Sequence, residues 1–204
     1  MSELRSELIK AATSFYNRGW MLGTSGNLSA RINSTEFWVT ASGLPKGQLT
    51  DDDFLIVGLH DALPKVVGPQ KSSAETIIHQ FLYRYDETIG AVYHVHTPAA
   101  NLLTRLYPDS KIRLPAIEMI KGLGFWQENP IVNVMVTPNH SRVEDIANEM
   151  TERLPDFPNV PGFLIRDHGI TAWGKTPQEA MNRCEIWCYL CEWMVQAKTL
   201  GLPS

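Results

Sequence analysis

Residues 89–96, Ile-Gly-Ala-Val-Tyr-His-Val-His, constrain this chain more than any other stretch. Small, apolar and β-branched residues predict a strand there, and Pro98 stops it. Side chains two apart on a strand point the same way, so His94 and His96 can converge on one ion. Neutral imidazole suits zinc, which makes the pair a candidate metal site. The alternative is a strand whose histidines are hydrogen-bonded surface groups. Beyond Pro98 the pattern predicts a helix over 99–106.

The remaining segments mix both periods. Leu4, Leu8, Ala11, Ala12, Phe15 and Tyr16 follow a helical repeat, with Gly19 as its stop. Strands are predicted over 28–32 and 36–40, joined by Asn33-Ser34, and over 54–59, 131–137, 162–165 and 170–173. Ser72 or Ser73 can cap a helix over 74–85, and another helix is predicted over 142–154. Thr176-Pro177-Gln178-Glu179 opens a last helix to about residue 200, with Thr as cap, Pro first and Glu third. Strict strand–helix alternation fails. The expected fold class is therefore α/β, a single domain over 1–204 with a central, mainly antiparallel sheet flanked by helices.

A chain of 204 residues can bury such a core without disulfides. Its three cysteines, an odd number near the C-terminus, do not suggest a secreted disulfide framework. No apolar run has the length of a membrane span, and Met1-Ser2-Glu3-Leu4-Arg5 lacks a signal-peptide core. A cytoplasmic location is expected. The net charge of −4, with no basic block, argues against nucleic-acid binding.

A zinc site needs more than two imidazoles, and His168 is the best remaining candidate. It lies in Arg166-Asp167-His168-Gly169 between two apolar strands, where a surface turn histidine is the alternative. Three segments suit an oxyanion: Gly23-Thr24-Ser25-Gly26-Asn27, Ser42-Gly43, and Ser72-Ser73 at a helix start. Taken singly, each reads first as an ordinary turn or cap. Glu75 falls in the first helical turn, where compensating the helix dipole would be enough to explain it. Glu118 lies among Pro115, Ala116, Ile117, Met119 and Ile120, a setting that could raise its pKa toward acid–base use, or Lys121 could pair with it.

Two patterns are decoys. Cys184-x3-Cys188-x2-Cys191 matches an iron–sulfur spacing, but i, i+4 and i+7 beside Trp187, Leu190 and Met194 describe a helix core stripe. Glu75-x3-His79 lacks the first histidine of the zincin helix, which leaves His79 as a helix-face residue. His60 and His140 receive no role.

Together, Gly26-Asn27, Ser42-Gly43, Ser73 with Glu75, His94-x-His96 and His168-Gly169 resemble the class II aldolase family in their order along the chain. That family also contains sugar-phosphate epimerases and non-catalytic adducin head domains. The resemblance covers nearly the whole sequence. It implies a divalent metal, usually zinc, on His94, His96 and His168, with one ion per subunit. It also implies phosphate contacts from Gly26, Asn27, Ser42, Gly43, Ser72 and Ser73, and a homotetramer with active sites at subunit interfaces. Ala74 stands where the family carries a second serine, for which Ser72 would compensate.

Glu118-Met119-Ile120-Lys121-Gly122 is similar to the methylthioribulose-1-phosphate dehydratases of methionine salvage, which implies a catalytic acid/base role for Glu118. Glu75 matches the base of sugar-phosphate aldolases. The expected activity is dehydration of a methylthiopentulose phosphate. The alternatives are a zinc-dependent ketose-1-phosphate aldolase, a pentulose-phosphate 4-epimerase, or an adducin-like binding module. Phe125 and Trp126 are expected in the core rather than in a methylthio pocket.

Overall fold

A computed structural model describes residues 2–61 and 70–202. Among the described residues, eight strands form one sheet in the order β3-β2-β1-β4-β8-β7-β6-β5. They are β1 (Asn27–Arg31), β2 (Glu36–Thr40), β3 (Phe54–Gly58), β4 (Ala91–Val95), β5 (Lys111–Arg113), β6 (Asn133–Thr137), β7 (Gly162–Ile165) and β8 (Gly169–Gly174). Every neighbouring pair is antiparallel except β6 with β7. The helices are α1 (Ser2–Asn17), α2 (Thr76–Tyr85), α3 (Pro98–Leu106), α4 (Val143–Arg153) and α5 (Pro177–Thr199). The expected mainly antiparallel α/β architecture is what the chain adopts.

Strand alternation divides the interior into two layers. Tyr93 and Val95 face one core, with Leu8 and Phe15 of α1, Leu103 of α3, and Cys184, Trp187, Cys188 and Cys191 of α5. Val92 faces the other core, with Ile78 and Leu82 of α2 and Ile146 and Met150 of α4. By the same alternation His94 lies on the α2 side. The three cysteines are free and buried, as a core stripe requires.

Local chemistry sets the boundaries. Asn33 Oδ1 accepts from the backbone amides of Thr35 and Glu36, fixing the β1–β2 turn. Thr176 Oγ1 accepts from the Glu179 amide at 3.1 Å, and Glu179 Oε2 accepts from the Lys175 amide at 2.6 Å. Helix α2 starts at Thr76, two residues later than its sequence suggests. The Ser73 hydroxyl accepts from the Glu75 amide, and the Ser73 carbonyl accepts from Thr76, which makes a separate turn over 73–76.

Other expectations change. The three-residue strand β5, which the sequence reading did not single out, pairs at the sheet edge with β6 and alternates exposed and buried residues. Trp126 is 73% exposed and so lies outside the core, with Phe125 packed partly against it. Among the described residues, no helix is long and apolar enough to cross a membrane.

Candidate metal centre

The C-terminal end of β4 meets the β7–β8 turn beside the start of α2. His94 is the penultimate residue of β4, and His96 lies just past the strand, with its amide donating to the Trp20 carbonyl at 2.9 Å. Asp167, which precedes His168, adopts φ 55°, a left-handed conformation that suits a tight turn before Gly169. A side chain at Gly169 would press on the Val95 carbonyl and come within 2.9 Å of the His96 ring, so the glycine is what lets the two segments close.

This convergence leaves His94 Nε2 2.9 Å from His96 Nε2 and 3.4 Å from His168 Nε2. Glu75 Oε1 lies 2.9 Å from His168 Nε2 and 3.5 Å from His94 Nε2. One ligand atom from each of the four residues falls within 4.8 Å of the others. Nitrogens about 2.0–2.1 Å from a tetrahedral ion stand roughly 3.3 Å apart, so the donor set fits a divalent cation. His94 Nδ1 is 3.0 Å from Thr171 Oγ1, a partner that orients the ring and leaves Nε2 facing inward.

Burial holds His94 and His96 neutral, the form that ligates. It lowers His94 to about 3, with the neighbouring histidines adding to that and Glu75 opposing it. It lowers His96 to about 4, with His168 assisting and Glu75 again opposing. Burial alone would raise the Glu75 carboxyl. The imidazoles of His94, His168 and His96 outweigh it and hold Glu75 well below the usual carboxylate range.

Two of the anion-friendly segments, through Asn27 and Ser73, reach the same carboxylate. Gly26 takes φ 74°, and a Cβ there would lie 2.7 Å from the His94 carbonyl. Asn27 donates its side-chain amide to Glu75 Oε2, and the Ser73 hydroxyl is 3.4 Å from that oxygen. The Ser42 amide donates to the Lys71 carbonyl, Gly43 takes φ 77° at an exposed turn, and Ser72 is half-buried.

Sequence reasoning missed Lys46. It is 1% exposed, and its ammonium donates to the carbonyls of Thr24 (3.1 Å) and Leu44 (2.9 Å), tying two of these loops together. Burial lowers its pKa, against the pull of the Glu75 charge. A lysine between Pro45 and Gly47 looks like a surface turn residue, and nothing local signals its burial. His79 is a residue of an α2 face, as expected, and that face is buried, with both ring nitrogens bonded.

Glu118 differs from its expected apolar setting. It opens a 3-10 helix (Glu118–Leu123), its side chain is 82% exposed, and Lys121 pairs with it at 2.9 Å. Residues three apart share a face of such a helix, so Ile120 and Leu123 turn inward while Glu118 and Lys121 turn out.

Residues 6–195 match the family model for the class II aldolase and adducin N-terminal domain. The chain is 44% identical over 199 residues to a methylthioribulose-1-phosphate dehydratase of Microcystis aeruginosa, covering 97% of each protein. It is 41% identical to a protein of the same name from Leptospira biflexa, covering 93% of this chain and 95% of that one. In fold it is similar to the crystal structure of L-fuculose-1-phosphate aldolase from Thermus thermophilus, with a TM-score of 0.79, 22% identity and complete coverage of both chains.

Proposed function

Because the chain belongs to the class II aldolase and adducin family, we propose that it dehydrates 5-methylthioribulose 1-phosphate to 2,3-diketo-5-methylthiopentyl 1-phosphate in methionine salvage. The observation that carries this reading is the near-full-length likeness to dehydratases in a chain whose histidines and Glu75 can hold a divalent cation. His94, His96 and His168 would hold the ion, zinc in this reading. When bound, it supplies Lewis acidity for negative charge developing on the ketose oxygens.

The chain's own groups do the rest. Glu118 takes the proton from C3, leaving an enediolate, and passes it to the C4 hydroxyl, which departs as water. The enol that remains ketonises to the diketone. Glu118 stands at the surface beside Lys121, outside the group formed by Glu75 and the three histidines, and it takes this role from the likeness of its segment to the dehydratases. Gly26, Asn27, Ser42, Gly43, Ser72 and Ser73 receive the phosphate and orient C3–H against C4–O. The enzyme works as a cytoplasmic homotetramer.

A second reading is favoured by the contact between Glu75 and His168: a ketose-1-phosphate aldolase with Glu75 as base, or the related 4-epimerase. Proton NMR of the zinc-loaded protein with methylthioribulose 1-phosphate separates these. New C4 methylene signals are expected. Dihydroxyacetone phosphate as the product would select the aldolase, and unchanged substrate would remove both.

A further inference from the structure

A continuous line of buried polar groups runs from the interior of α2 to the metal centre. Tyr83 Oη lies 2.8 Å from Ser29 Oγ, which is 2.7 Å from His79 Nδ1. His79 Nε2 is 2.5 Å from Asn27 Oδ1, and Asn27 Nδ2 donates to Glu75 Oε2. Ser29 and His79 are wholly buried, and Tyr83 and Asn27 are nearly so. None of this is surface decoration.

Chemistry fixes the direction of every bond. An ionised carboxylate only accepts, so Asn27 must present Nδ2 to Glu75 and Oδ1 to His79. His79 must then carry its proton on Nε2, leaving Nδ1 to accept. The Ser29 hydroxyl supplies that proton, because His79 Nδ1 is closer than the Val92 carbonyl at 3.3 Å. Ser29 in turn accepts from the Tyr83 phenol, which burial keeps protonated. All the donors point one way, towards Glu75.

We propose that His79 is a positioning residue: through Asn27 it pins Glu75 Oε2 into the interior, so that only Oε1 faces the three histidines. Unpinned, the carboxylate could turn either oxygen, or both, towards the ion or the substrate. In a water-poor network each member orients the next, and loss of one donor frees the rest. The effect on rate rests on the dehydratase reading; the effect on Glu75 does not.

The test uses the metal-loaded full chain with 15N-labelled histidine. Two-bond proton–nitrogen correlations should show His79 as the Nε2–H tautomer, and an Nδ1–H signal would overturn the proposal. His79→Leu removes the donor, whereas His79→Gln restores an N–H near the Nε2 position. In His79→Leu, kcat should fall by about tenfold or more with KM within about twofold, and His79→Gln should recover most of it. Equal kcat in the two variants, or a loss confined to KM, would overturn it.

Cobalt loading supplies a readout free of substrate. The visible absorption of the cobalt form should shift in His79→Leu and match the parent in His79→Gln. If the parent fails to dehydrate methylthioribulose 1-phosphate, the functional reading falls, and the tautomer and cobalt spectra decide this proposal alone. If His79→Leu does not fold, the parent tautomer and the His79→Gln spectrum decide it, and a shifted His79→Gln spectrum counts against.

Discussion

Glu75 and Glu118 are the same residue in opposite circumstances. Glu75 is held on every side: Asn27 and Ser73 on one oxygen, His168 and His94 on the other. Glu118 stands on the outer face of a 3-10 turn, touching Lys121 and otherwise open to water. A carboxylate tied into a network stays in one place and one charge state, whereas an exposed one can exchange protons. In the proposed dehydration, Glu75 would keep a fixed electrostatic role and Glu118 would carry the proton.

The largest test of that division is His96→Ala. Divalent metal content, measured by elemental analysis, should drop, and nearly all turnover with it. Full metal binding would mean that the strand pair does not hold the ion. Next comes Glu118→Gln, expected to keep fold and metal while kcat falls by about 10²–10⁴-fold. An undiminished rate would return proton transfer to Glu75.

Acid separates the two regions through stability. The unfolded chain protonates histidine near 6.5, whereas buried His79 in the folded protein does so only at about 4. Between those values the unfolded state binds more protons, so urea stability of the metal-free protein should fall as pH drops from about 6.5 to about 4, by about 3 kcal/mol from His79. His94, lowered to about 3, adds to the same trend, and Glu75, lowered by its neighbours, extends the loss below its ordinary range. A flat profile across that window would contradict a neutral buried His79.

Glu75→Gln should weaken metal affinity by about 10–100-fold, as loss of a group orienting the ligands does elsewhere. Smallest of all, Lys121→Ala should cost about 1 kcal/mol or less in chemical denaturation, since the Glu118 pair is largely solvated. A larger loss would show that the turn depends on its ion pair.

The histidine triad was legible because two of its members are two residues apart on a strand, and the third sits in a turn flanked by apolar runs. The relay was not. Asn27 and Ser29 reach His79 across roughly fifty residues, through the β1–β4 register and the docking of α2, which local periodicity does not encode. Glu118 misled for a related reason: its apolar neighbours suggested burial, but the three-residue repeat of its turn sends Ile120 and Leu123 inward and leaves the carboxylate and Met119 out. Lys46 owes its place to loop closure, and β5, only three residues long, alternates too briefly to stand out before its edge pairing is known.

The three thiols of α5 carry a practical consequence. Burial pushes Cys188 and Cys191 well above their ordinary pKa, so neither offers a reactive sulfur anion at neutral pH. An alkylating reagent would meet them only when the long helix leaves the sheet. Their labelling rate is thus an internal clock for global opening, blind to whatever happens among the imidazoles.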